Sequence, residues 1–172
     1  MKNLTKLLMV SVVILFCTQA VSAQGKKERE AAKAEKIKSL LQSQNYVFEA
    51  NYVIPMTGNS KSLTYGYDLT VSKDTVSAYL PYYGRVTLPP VDPTDGGVKF
   101  TSTSFSYKST VDKKGSYNIV ITPNEHNDRG AKDVRYIRLN IGSTGYASLQ
   151  VVSNNRDPIS YNGIIVERKP RK

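Results

Sequence analysis

From Tyr46 onward apolar side chains recur at every second position, a period that fits strands and not helices. Tyr46, Phe48, Ala50, Tyr52 and Ile54 share one face of an extended segment, which Pro55 and Thr57-Gly58-Asn59 then end. Leu63, Tyr65, Tyr67, Leu69 and Val71 repeat the pattern, with Thr64, Gly66, Asp68 and Thr70 on the opposite side. Alternation of this kind predicts one buried and one wet face, the habit of antiparallel sheets. Lys73-Asp74 makes a tight turn into Thr75–Leu80. Phe105, Tyr107, Ser109 and Val111 pair with Tyr117, Ile119 and Ile121 across Lys113-Lys114-Gly115, a hairpin signal. Val134–Ile141, Tyr146–Val152 and Ile159–Val166 close the chain. In the middle, Pro81, Gly84, Pro89, Pro90, Pro93, Gly96 and Gly97 interrupt short apolar stretches and predict a long loop. The expectation is a mainly β domain over residues 45–166, an antiparallel barrel or sandwich of eight to ten strands.

Residues 24–44 break this period. They contain a single Gly, no Pro, and many Glu, Lys, Ala and Leu, and Ala34, Ile37, Leu40 and Leu41 fall at three- and four-residue spacings. One N-terminal α-helix follows, its second half docked and its first half extended into water. Ahead of it, Lys2 and Lys6, the apolar run Leu7–Phe16 and the small residues Val21-Ser22-Ala23 form a secretory leader over residues 1–23, cleaved before Gln24. The run is too short and too interrupted for a membrane anchor, and Phe16 before Cys17 does not suit lipid attachment. Cys17 is the only cysteine, so the exported chain has no disulfide and no thiol. The expected location is the periplasm or the exterior.

Charge narrows the partners. The formal net charge of +10 loses Lys2 and Lys6 with the leader, and most of the remainder lies on the helix and on a basic tail over residues 167–172. Between Asn45 and Val166 twelve basic residues face ten acidic ones, so the folded body is close to balanced. Nucleic-acid binding needs Lys and Arg clustered on a face of the fold and is not expected here. The two charged ends are suited to weak, salt-screened contact with anionic envelope surfaces.

Several segments carry a resemblance. Tyr79-Leu80-Pro81-Tyr82-Tyr83-Gly84-Arg85, then Gly96-Gly97-Val98-Lys99-Phe100, then Ser153-Asn154-Asn155-Arg156 through Ile159-Ser160-Tyr161-Asn162-Gly163 resemble the Bacteroidetes family catalogued as domain of unknown function 4251, as does the Lys-Glu-Arg-Glu-Ala-Ala opening of the helix. The resemblance implies an exported, envelope-associated protein and brings no activity with it.

Residues able to carry chemistry are few. His126, the only histidine, stands in a polar loop without the companions a zinc site or a catalytic triad requires. Asp92 and Asp95 before Gly96-Gly97 read as turn formers, because the alternating ligands of a calcium loop are absent. Glu49, Asp68 and Glu167 are the acids in or at the end of strands, and all alternate onto the wet face. No enzyme, metal or cofactor is expected. The segment Tyr79–Arg85 stands out: Pro81 and Gly84 bend the backbone while Tyr79, Tyr82, Tyr83 and Arg85 offer flat amphipathic surfaces and a forked donor. Tyr82, Tyr83 and Arg85, with Arg156, are the candidate binding residues for a small ligand or an envelope protein. The alternative role for the same side chains is to plug one end of the β-domain. The functional expectation is a non-catalytic binding module, with a structural envelope scaffold as the second reading.

Overall fold

The computed structural model describes residues 27–64, 66–87, 96–113, 115–124 and 133–168. The leader, Tyr65, Asp92, Asp95, His126 and the tail beyond Arg168 lie outside the described residues.

A helix, α1, covers residues 27–43. Residues 27–33 are all exposed, and the apolar stripe begins only at Ala34, so Ile37 and Leu41 alone are buried. The helix closes with Gln44 in the left-handed region at φ 50°, where Gln44 N–H donates to Leu41 O and Asn45 N–H to Leu40 O. This pair of bonds satisfies carbonyls that the last turn would otherwise leave open.

The rest is one antiparallel sheet of ten strands: β1 (Tyr46–Pro55), β2 (Lys61–Ser62), β3 (Asp68–Val71), β4 (Val76–Pro81), β5 (Gly97–Ser102), β6 (Phe105–Val111), β7 (Tyr117–Pro123), β8 (Val134–Ile141), β9 (Tyr146–Ser153) and β10 (Ile159–Glu167). Their order is β5-β4-β3-β1-β10-β9-β8-β7-β6, with β2 added beside β1. The pairings make β5 and β6 run in the same direction with only Thr103 and Ser104 between them. They are two halves of one bent strand. Its first half holds β4 and its second half holds β7, which rolls the sheet into a nearly closed barrel. A barrel, not a sandwich, is therefore the outcome.

Inward positions fill this barrel. Tyr46, Phe48, Leu69, Leu80, Ile119, Ile137, Leu139, Leu149 and Tyr161 are fully buried. Across the interior the Tyr46 and Tyr107 hydroxyls lie 3.3 Å apart, tying β1 to β6. Helix α1 seals the base. A side chain at Gly145, in the β8–β9 turn at φ 90°, would come within 2.9 Å of Ile37 Cδ1, so the bare glycine forms the seat for the helix.

Three sequence expectations are corrected. The alternation of β1 was expected to bury Tyr52 and Ile54, but the register with β10 shifts between Ala50 and Tyr52, so Val53 turns inward and Tyr52 and Ile54 are exposed. One extra residue, Asn51, is enough to exchange the faces of everything after it. Of the single strand expected over Leu63–Val71, only Asp68–Val71 is a strand; before it, Leu63 N–H meets Asn51 O and the Tyr67 carbonyl accepts Ala50 N–H as isolated contacts with β1. Within the stretch read as a loop, Gly97–Ser102 is a core strand with Val98 and Phe100 buried.

The buried phenols make stability depend on alkaline pH. Burial raises the Tyr46 and Tyr161 pKa values well above the usual phenol value, with Tyr107 adding to the effect at Tyr46. An unfolded tyrosine ionises near pH 10 while these two stay protonated, so the native state holds more protons above that pH. Stability is full below about pH 10 and should fall above it by about 1.4 kcal/mol per pH unit for each such tyrosine. A denaturant series from pH 8 to 11.5, followed by circular dichroism and phenolate absorbance, checks this. Phenolate formation in the intact fold, with no loss of stability, would contradict it.

Candidate functional site

The site sits where β4 ends and β5 begins, at the mouth of the barrel opposite α1. Pro81 terminates β4, and its carbonyl accepts the hydroxyl of Tyr161, 2.7 Å away, from inside the barrel. The chain then crosses the β9–β10 loop. Val86 bridges Arg156, Thr87 N–H donates to Asn155 O, and Asp157 N–H donates to Arg85 O. Tyr82 locks this crossing: its hydroxyl lies 2.7 Å from the carbonyl of Arg85 and 3.1 Å from that of Asp157. Partial burial, then the nearby Asp157 carboxylate, raises the pKa of this phenol and keeps it a neutral donor.

Arg156 is the other half of the lock. Its Nη1 donates to Gly97 O at 2.7 Å, its Nε pairs with Asp133 Oδ2 at 3.0 Å, and its guanidinium lies 5.4 Å from the Tyr82 ring centroid. The Arg156 and Asp133 side chains are only 11% and 18% exposed. Asn155 Nδ2 donates to the second oxygen of Asp133. Tyr82 and Arg156, which lie far apart in sequence, thus meet and spend their donors on the protein itself.

Tyr83 and Arg85 face outward. Tyr83 is 39% exposed, with Lys61 Nζ 4.2 Å from its ring centroid. Arg85 is exposed, and its carbonyl is the part that holds the crossing. Beside them lies a group of which only Tyr79 was singled out from the sequence. Tyr67 stacks on Tyr79 with centroids 5.7 Å apart and planes 10° from parallel, and Lys99 Nζ stands 5.3 Å from the Tyr79 ring. Tyr79 and Lys99 are opposite each other in the β4–β5 register, which is why the ammonium reaches the ring. Together Tyr67, Tyr79, Pro81, Tyr82, Tyr83 and Lys99 line a cleft of about 260 Å³. Aromatic walls with two ammonium groups at the rim suit a flat or anionic group. Lys99 lies in a segment that carries the family resemblance and Lys61 beside turn residues, and neither signal points to a tyrosine cluster.

The strand acids stay on the outer surface. Glu49 and Asp68 are register partners of β1 and β3, and Glu167 pairs with Lys36 of α1 at 3.2 Å in an exposed bridge. Among the described residues no group of three or more His, Cys, Asp or Glu could hold a metal ion.

A family model described as Domain of unknown function (DUF4251) matches residues 28–165. Among solved structures, the crystal structure of a DUF4251 family protein from Bacteroides eggerthii is similar at TM-score 0.59 and 19% identity, covering 80% of this chain and 91% of that one. No curated protein matches.

Proposed function

We propose that this chain, which belongs to the DUF4251 family, is a non-catalytic binding module of the cell envelope, exported by its leader, that recognises a small ligand or an envelope protein at the cleft beside the barrel mouth. The observation that carries the reading is the pair of exposed rings Tyr79 and Tyr83, the first stacked on the half-buried Tyr67 with Lys99 against it and the second with Lys61 against it. Rings and ammonium groups left at the surface of a filled barrel, as Tyr79, Tyr83, Lys61 and Lys99 are, present a ready recognition surface. The interior is occupied by buried side chains, so the ligand belongs on the outside.

Native mass spectrometry of protein recovered from its own cells tests this. Wild type should retain an adduct, and Tyr83→Ala and Lys99→Ala should each weaken its binding by more than about 1 kcal/mol, the scale of a hot-spot contact. Unchanged adduct occupancy in both variants sinks the cleft as the site. The mouth lock of Tyr82, Arg156 and Asp133 favours a second reading, an envelope scaffold that needs a rigid barrel more than a ligand. Under that reading no adduct is retained, and a protein partner cross-links to the body or the helix.

A further inference from the structure

The outer wall of the barrel, away from the mouth, carries a continuous row of side chains in cross-strand register. Following the register from strand to strand, Tyr52 on β1 lies opposite Asn162 on β10, Asn162 opposite Ser148 on β9, Ser148 opposite Asn140 on β8, and Asn140 opposite Asn118 on β7. Residues paired this way share a face, and the first four of these are exposed. Asparagine is depleted in strands because its amide competes for the backbone, and here Asn162 stands inside β10, while Asn140 and Asn118 stand one residue from the ends of β8 and β7. Asn140 Nδ2 donates to Asn118 Oδ1 at 2.8 Å, which fixes two of the amides. For Asn162 and Ser148 no side-chain hydrogen bond is found among the described residues.

A groove of about 750 Å³ runs over this row, larger than the cleft at the mouth. Two exposed tyrosines belong to its lining: Tyr52 is 52% exposed and Tyr146 is 72% exposed. Exposed rings beside Asn162 and Ser148, whose side-chain polar groups the fold leaves open in one contiguous place, mark a functional surface. We propose that this groove binds an uncharged oligosaccharide, with sugar rings laid against Tyr52 and Tyr146 and hydroxyls bonded by Asn162, Ser148 and Asn140.

The chemistry selects this occupant. A pyranose has an apolar face of C–H bonds and a rim of hydroxyls, each of which both donates and accepts. Tyrosine supplies a rigid apolar face with a polar tip, and an amide offers a donor pair beside an acceptor pair on one short stem. The same combination of Tyr, Ser and Asn serves wherever large flat contacts and adaptable hydrogen bonds are needed together. The lining contains no Lys, Arg, Asp or Glu, although the chain has a formal charge of +10, so phosphate and carboxylate ligands have nothing to meet. A peptide adding as a strand needs an unpaired sheet edge. Here β9 and β10, which carry Ser148 and Asn162, are paired on both sides.

The groove is distinct from the cleft at Tyr83, and the proposal stands whether or not that cleft binds. The test is an array of neutral and acidic oligosaccharides probed with protein recovered from cells, followed by calorimetry with the best neutral glycan. Neutral glycans should bind with affinity little changed by salt, and Tyr146→Ala and Asn162→Ala should each weaken binding about tenfold, the range of a hot-spot loss. Tyr83→Ala should leave the affinity unchanged. Both groove substitutions are on the outer surface, and a matching thermal midpoint confirms that each variant is folded. As a check that needs no substitution, the side-chain amide resonances of Asn140 and Asn162 should shift on titration with the glycan. The proposal is overturned by absence of binding to every neutral glycan, by binding restricted to acidic glycans and abolished by salt, or by capture of a protein partner alone. It is also overturned if Tyr83→Ala, and not Tyr146→Ala, removes glycan binding, a result that would leave the cleft reading intact.

Discussion

Gly163→Ala is expected to destabilise the barrel by about 3 kcal/mol, at the upper end of what overpacking usually costs. Gly163 lies on β10 opposite Ala50, at the last regular pair before the register of β1 shifts. A Cβ there would run into the carbonyl oxygen of Glu49, come within 2.9 Å of its carbonyl carbon, and meet Phe48 Cε2 at 3.0 Å. The first two obstacles are backbone and cannot rotate aside, so β1 and β10 would have to part at the middle of the sheet. At this chain length 3 kcal/mol corresponds to a fall in Tm of roughly 10 °C. Urea and thermal unfolding of the variant read it directly. A loss below about 1 kcal/mol would mean that the two strands separate more easily than their packing implies.

Arg156→Ala is the second large effect, with a loss of about 3 kcal/mol from breaking a mostly buried pair on one side only. The substitution strips Asp133 of its counter-charge, leaves the Gly97 carbonyl without its donor, and removes the guanidinium from the Tyr82 ring. Removing both charges, in Arg156→Ala with Asp133→Asn, should recover part of the loss, and the double-mutant cycle measures the coupling. Arg156→Lys should fall between, since an ammonium cannot serve Asp133 and Gly97 with the same fork. If Arg156→Ala unfolds within 1 kcal/mol of wild type, the mouth is not locked through this residue, and Arg156 is free to meet a ligand.

Much of the barrel was legible because its strands alternate cleanly. The hairpin of Phe105–Val111 with Tyr117–Ile121 is present as expected, and the last three strands lie within a residue or so of their expected bounds. The errors share one cause. Asn51 looks like any polar position in an alternating run, and since Val53 and Ile54 are both apolar, nothing in the letters shows which of them faces in. Gly96 and Gly97 together with the prolines outweigh Val98 and Phe100 in a local reading, yet Gly97 is buried where a side chain would come within 2.8 Å of the Leu80 carbonyl oxygen. The candidate site was legible in part. Tyr82 and Tyr83 were visible as a cluster, but their opposite commitments, one to the mouth lock and one to Lys61, depend on which chain segments cross there. The outer asparagines were invisible as a group: each contributes one residue to a different strand, and only the register puts them in line.

The pairing of β1 with β10 reaches beyond the finished structure. The first strand of the sheet is completed by the last, with Tyr46 matched to Glu167. Until the final segment has been synthesised, one long side of β1 has no partner, and the barrel cannot begin to close around Phe48 and Leu69. Contacts at so great a sequence separation slow folding, because the chain must give up its loop entropy before they form. The local hairpins from β6 to β10 need no such wait, but closure of the barrel around its first strand is held until its last strand is present.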